Sequence, residues 1–110
     1  MELPEIENVE ISELAFSDLD EIWTFISRDS AYYADNTIDE LIARVAMLGD
    51  NPRAGSLKDD LMAGLRLFPY NDFNIFYFHA GNGVEIYRIL HSSRDIVQMF
   101  DDSIDEIKEK

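Results

Sequence analysis

Apolar positions along the chain change their spacing twice, and each change marks a change of element. Residues 1–7 read as a loose acidic lead-in, and Val9-Glu10-Ile11 alternates briefly, which predicts a short strand running to about Leu14. Leu19, Ile22, Trp23 and Ile26 then fall at i, i+3, i+4 and i+7, a single stripe of an amphipathic helix. Ser17 is its expected cap, and Asp20 three residues later completes a capping-box pattern. Asp18, Asp20 and Glu21 place negative charge at the positive end of that helix's dipole. Ser30 is the expected cap of a second helix, with Ala34, Ile38, Leu41, Ile42, Val45 and Leu48 as its stripe. Gly49 suits a left-handed C-terminal cap and Pro52 prevents resumption, so this helix is expected to end near Leu48. Two such helices with a very short connection form a helical hairpin.

Residues 49–63 read as a connector anchored by Leu57, Leu61 and Met62, after which the period falls to two. Leu65 to Phe68 is a predicted strand, and Pro69-Tyr70-Asn71-Asp72 is turn chemistry. Phe73 to His79 is a second strand, Asn82-Gly83 a tight-hairpin signal, and Val84 to Leu90 a third strand. Ser92 or Ser93 is expected to cap a last helix in which Ile96, Phe100, Ile104 and Ile107 recur at helical spacing. The order is β-α-α-β-β-β-α, an α+β fold with a helical hairpin packed on a small antiparallel-rich sheet.

The hairpin can be read residue by residue. With Asn82-Gly83 as its loop, Phe78 faces Tyr87, Phe76 faces Ile89 and Asn74 faces His91 on one side. His79 then faces Ile86, Tyr77 faces Arg88 and Ile75 faces Leu90 on the other. A sheet wet on one face alternates cleanly between apolar and polar residues, whereas this one is apolar or aromatic on both. The helical hairpin can cover one face. On the other, the final helix is expected to cover at most part, and the uncovered apolar remainder points to a protein partner; the alternative is that the connector and last helix bury it all.

Composition sharpens this reading. The 110 residues, 46% hydrophobic and 12% aromatic, suffice for one domain with one core and are too apolar for a disordered segment. Formal net charge is -14, from 23 acidic and nine basic residues, and the pI is about 4.2. So negative a surface repels phosphate and anionic lipid, which disfavours general nucleic-acid and membrane binding. Residues 1–62 hold 15 acidic and four basic side chains, residues 63–100 three of each, and residues 101–110 five and two. Charge therefore coats the helices, and the aromatic block is neutral. No cysteine is present, which removes disulfides, thiolate metal sites and cysteine nucleophiles. The N-terminus lacks the charge and apolar core of a signal peptide, and no run approaches the roughly 20 apolar residues of a membrane span. The expected location is the cytoplasm.

Three segments carry a resemblance. Gly64-Leu65-Arg66, Phe73-Asn74-Ile75-Phe76-Tyr77 and Arg88-Ile89-Leu90-His91-Ser92-Ser93-Arg94-Asp95-Ile96 resemble the ParE/RelE superfamily of bacterial toxins, and within it the ParE branch, also called plasmid-stabilisation proteins. Ala15, Asp18-Leu19, Glu21-Ile22-Trp23 and Phe25-Ile26 are similar to that family's first helix. The resemblance spans about residues 9–100. It implies the toxin half of a type II toxin–antitoxin pair that inhibits DNA gyrase and is held inactive by a wrapping antitoxin, in a hetero-oligomer. The target- and antitoxin-binding residues expected on this basis are Arg66, Phe76, Phe78, Tyr87, Arg88, His91 and Arg94. Two features depart from the family pattern: Phe78 stands where an arginine or other polar residue often follows the Phe-Tyr pair, and the chain is unusually acidic. An antitoxin tail less acidic than usual is expected in consequence.

Physical chemistry adds its own reading of these residues. Arg88 on a strand interior is costly to bury unpaired, so it should meet a carboxylate or partner backbone. The Arg88–Asp95 stretch also serves as a strand-to-helix corner. Trp23, on the apolar stripe, reads as core. His91 has no second histidine or thiolate nearby in sequence, and neither a metal nor a cofactor is expected. The RelE branch cleaves messenger RNA in the ribosome, chemistry that needs a general base, a general acid and cations. Arg66, Tyr87, Arg88 and His91 are the residues such a reaction would enlist. Against it, Ser92 follows His91 where a terminal acid/base pair would stand, and the helices carry only Arg28 and Arg44. A binding toxin is the leading expectation, RNA cleavage the alternative, and a diverged non-toxic interaction module the third.

Overall fold

A computed structural model describes residues 5–96 and Phe100. The elements in chain order are β1 (Val9–Ile11), α1 (Glu13–Ser27), α2 (Ala31–Asp50), β2 (Ser56–Leu57), β3 (Leu65–Tyr70), β4 (Phe73–Ala80) and β5 (Gly83–His91). The strands form one sheet in the order β1-β5-β4-β3-β2. β1 runs parallel to β5, and the other neighbours are antiparallel. This is the expected α+β arrangement, with β2 added from the connector as a two-residue edge. Ile96 and Phe100 are both helical, while Ile104, Ile107 and the acidic residues 101–110 lie outside the described residues.

The start of α1 differs from expectation for a tertiary reason. Ser12, not Ser17, caps it, accepting from the Ala15 N–H at 3.0 Å. The Ser12 hydroxyl also donates to the Tyr87 carbonyl at 2.8 Å, and its N–H donates to the Ile86 carbonyl at 3.0 Å. The helix thus begins where β5 fastens the chain, and Ser17 lies exposed within it. Ser30 caps α2 as expected, accepting from the Tyr33 N–H at 3.2 Å. Gly49 is not a left-handed cap; it is buried in the last turn of α2, where a Cβ would stand 2.7 Å from Val9 Cγ2. Its lack of a side chain lets the end of α2 approach β1.

Both hairpins also differ in detail. Tyr70 pairs with Phe73, so Asn71-Asp72 is the first loop, with Asn71 at φ 50°. Ala80 pairs with Gly83, so Gly81-Asn82 replaces Asn82-Gly83 as the second, with Gly81 at φ 58°. The expected pairs therefore give way to Phe78↔Glu85, Tyr77↔Ile86, Phe76↔Arg88, Ile75↔Ile89, Asn74↔Leu90 and Phe73↔His91. The register shifts between Phe76 and Tyr77, leaving Tyr87 as the extra residue of a β-bulge. The bulge changes the phase of β5, so Ile86 and Ile89, three residues apart, both join the helix-facing core with Ile75 and Tyr77. Leu90 goes to the opposite face, a reversal of the expected placement of Ile89 and Leu90.

That opposite face is not left bare. Leu65, Phe76 and Leu90 are buried there beneath Phe100, and Leu61, Met62 and Ile96 pack against them. The connector and residues Ile96 and Phe100 therefore supply the cover, which corrects the expectation of an open apolar sheet. Large exposed apolar side chains lie instead on the helical hairpin and β2: Leu14, Phe16, Phe25, Tyr32, Tyr33 and Leu57. No helix among the described residues is long and apolar enough to cross a membrane.

Candidate functional site

Ala15, Asp18, Leu19, Ile22 and Ile26 share one face of α1, which places a carboxylate in an apolar stripe. Asp18 is buried, and its partner comes from β5. Arg88 Nε donates to Oδ2 at 2.8 Å and Nη2 donates to Oδ1 at 2.9 Å. The Ile89 N–H adds a third donor to Oδ2 at 3.0 Å. Hydrogen bonding to Asp18 raises the Arg88 pKa above its ordinary value, against the opposing effect of burial. The two-pronged geometry is the strong form of an arginine–carboxylate pair, and it meets the demand of a charge placed within the fold. Arg88 therefore finds the carboxylate that its strand position requires.

Arg66 is engaged elsewhere. Its Nη1 donates to the Gly55 carbonyl at 2.6 Å and to that of Arg53 at 3.4 Å, tying β3 to the connector. Tyr77 from β4 secures the same loop: its hydroxyl accepts from the Gly55 N–H at 2.7 Å and donates to the Pro52 carbonyl at 2.8 Å. Burial raises the Tyr77 pKa, opposed by the Gly55 hydrogen bond and the Arg66 charge. A Cβ on Gly55 would lie 2.8 Å from the Tyr77 ring, so this close approach requires glycine.

A third region forms where α1 passes the end of β5. His91 Nδ1 accepts the Ser93 N–H at 3.1 Å, leaving Nε2 to hold the proton of the neutral ring, and Ser93 Oγ lies 2.8 Å from the same nitrogen. The imidazole stands edge-on to Phe73 with centroids 5.6 Å apart. Beside it runs a groove with a cavity volume of about 790 Å3, floored by Ile22, Ile26, Phe73 and Ile89. Asp20, Glu21 and Arg28 stand on its α1 wall, and Asp72, His91 and Arg94 across from them. This space accommodates several side chains of a polypeptide. Among the described residues, no group of three or more His, Asp and Glu side chains could hold a metal ion.

The seven residues singled out in the sequence thus fall in separate places. His91 and Arg94 are exposed at the groove. Arg88 is locked behind α1, and Arg66 supports the connector. Phe76, Phe78 and Tyr87 belong to the opposite face, with ring centroids 5.2 Å from Phe76 to Phe100, 6.1 Å from Tyr87 to Phe100 and 5.7 Å from Phe78 to Tyr87. Phe76 is fully buried and has no surface to offer a partner. Phe78 and Tyr87 meet as expected, although the bulge rather than direct pairing brings their rings together.

Several groove residues escaped the sequence reading. Phe25 lies off the α1 stripe and is 69% exposed, with the Arg28 guanidinium 6.0 Å from the centroid of its ring. Asp18 carried the complementary signal, a charge on an apolar stripe. Trp23 is half-buried against the core, with its indole N–H donating to Asp35 Oδ1 at 2.8 Å.

Comparison with known proteins agrees with this architecture. The sequence profile of a family described as ParE toxin of type II toxin–antitoxin system, parDE, matches residues 9–96. Among solved structures, the chain is similar to one from the chromosomal ParDE TA system from P. aeruginosa, with a TM-score of 0.65 and 18% sequence identity. That match covers 76% of this chain and 94% of the other. Among curated proteins, no sequence matches.

Proposed function

This chain belongs to the ParE toxin family of type II toxin–antitoxin systems, and on that premise we propose that it is a cytoplasmic bacterial toxin that inhibits DNA gyrase by binding. A cognate antitoxin neutralises it by occupying its surface, and no substrate bond is broken. The observation that carries binding over catalysis is the prior commitment of the candidate catalytic groups. Arg88 is held by Asp18, Arg66 by connector carbonyls, and the His91 Nδ1 lone pair by the Ser93 N–H. Tyr87 sits on the opposite face of the sheet from these helix-side groups. Ribonuclease chemistry needs a base, an acid and cations converging on one phosphate.

Controlled expression in a bacterial host, with and without the adjacent reading frame, tests this. The expected outcome is growth arrest with an induced DNA-damage response, relieved by co-expression, and inhibition of supercoiling by purified gyrase. Translational shutdown with codon-specific messenger cuts that vanish in His91→Ala would instead establish RNA cleavage. Absence of arrest would identify a non-toxic interaction module.

A further inference from the structure

We infer that the groove between α1 and the end of β5 seats a cationic amphipathic segment of the antitoxin. Apolar side chains of that segment rest on Ile22, Ile26 and Phe73, and lysine or arginine side chains meet Asp20, Glu21 and Asp72. The inference rests on the toxin–antitoxin reading and specifies the chemistry of the partner.

The apolar part of the argument is one of area and position. Phe73 and Ile22 are half-buried members of the core edge, and they line the groove beside the exposed ring of Phe25. The Phe25 ring keeps most of its surface exposed although the Arg28 guanidinium lies over it, 6.0 Å from its centroid, so an apolar cover still removes apolar area from water. The groove is also too large for one side chain, so a chain segment with several apolar residues is the fitting occupant.

The charge part decides the sign. Asp18 is already neutralised by Arg88, which leaves Asp20 and Glu21 on one wall and Asp72 on the other. Arg94 and Arg28, the latter over the Phe25 ring, line the same groove, so these three carboxylates face two guanidiniums. The pattern is two-signed at close range, which can orient a segment. At longer range the whole chain contributes a net charge of -14. Within a Debye length of about 10 Å at 0.1 M salt, that field draws a cation in and opposes a second polyanion. An acidic tail would meet both this field and the Asp20–Glu21 wall.

The test uses the purified product of the adjacent reading frame as the probe, with its affinity for the full-length chain measured by titration calorimetry at low and high salt. Asp20→Lys combined with Glu21→Lys, both on the exposed surface of α1, is expected to weaken binding by about tenfold or more at low salt and less at high salt. Phe25→Asp is expected to weaken it at both. Circular dichroism and thermal melting, unchanged in these surface variants, exclude unfolding as the cause. Tighter binding on charge reversal would overturn the cationic assignment, and unchanged affinity in all variants would overturn the groove itself. In both cases the toxin–antitoxin reading survives, because the wild-type complex still forms. If the adjacent product does not bind the wild-type chain at all, the reading and the inference fall together.

Discussion

Asp18 on α1 and Arg88 on β5, 70 positions apart, meet through two parallel N–H···O contacts of 2.8 and 2.9 Å. Arg88 follows directly on the bulge at Tyr87, so the pair joins the first helix to the point where β5 changes phase. The side chains are 22% and 6% exposed, which keeps water from replacing either partner freely. Asp18→Ala removes three acceptor contacts at once and strands a guanidinium, and it should cost about 2–4 kcal/mol. Arg88→Met should cost at least as much, because it leaves the more deeply buried Asp18 carboxylate with the Ile89 N–H in place of three donors. Urea denaturation of both single variants and the double variant should yield a coupling energy well above experimental error. Additive losses would show that the contact contributes little.

The Tyr77 hydroxyl links two backbone groups of the connector. Tyr77→Phe leaves the Gly55 N–H without its partner and should destabilise the protein by about 1–3 kcal/mol at neutral pH. Because burial raises the folded-state pKa, the native state holds its phenolic proton to higher pH than the unfolded chain does. The resulting stabilisation is complete below about pH 10 and is lost as pH rises through the folded-state value. Denaturation midpoints measured from pH 8 to 11 should fall in the wild type and fall less steeply in Tyr77→Phe. Equal slopes would remove Tyr77 from the alkaline transition.

Helix α1 provides a direct comparison of two serines. Ser12→Ala loses the cap and the bond to the Tyr87 carbonyl, with an expected cost of about 1–2 kcal/mol. Ser17→Ala, at an exposed site inside the helix, should be neutral or slightly stabilising by helix propensity. A larger thermal shift from Ser17→Ala would restore the sequence-based helix start.

The glycines of the second hairpin should also separate. A Cβ on Gly83 would collide with the backbone of Asn8, which adjoins β1, whereas at Gly81 nothing stands within 4 Å. Gly83→Ala should therefore disturb the parallel β1–β5 pairing and cost several kcal/mol. Gly81→Ala meets only the left-handed backbone penalty of about 1–2 kcal/mol. Amide exchange at Glu10 and Ile11 should accelerate in the first variant and not in the second.

The order of helices and strands was legible in the chain because each period is a local property. Leu19, Ile22 and Ile26 mark a helical face whatever they later touch, and the Phe73–His79 run has the pleat of a strand before it has a neighbour. The need for a carboxylate partner of Arg88 was legible for the same reason, since burial of a lone charge is costly anywhere. Which carboxylate answers it was not, because Asp18 looked equally suited to the helix dipole. Tertiary contacts also chose Ser12 over Ser17, turned Gly49 from a cap into a close approach, and moved the hairpin loop to Gly81-Asn82. The bulge at Tyr87 exchanged Ile89 for Leu90 between the faces. The open face proved to be covered by Leu61, Met62, Ile96 and Phe100, and the groove emerged instead beside Phe25 and Phe73. Sequence spacing records what neighbours along the chain can do together; register, cover and grooves depend on residues far apart in the chain, and only the folded backbone brings those within reach.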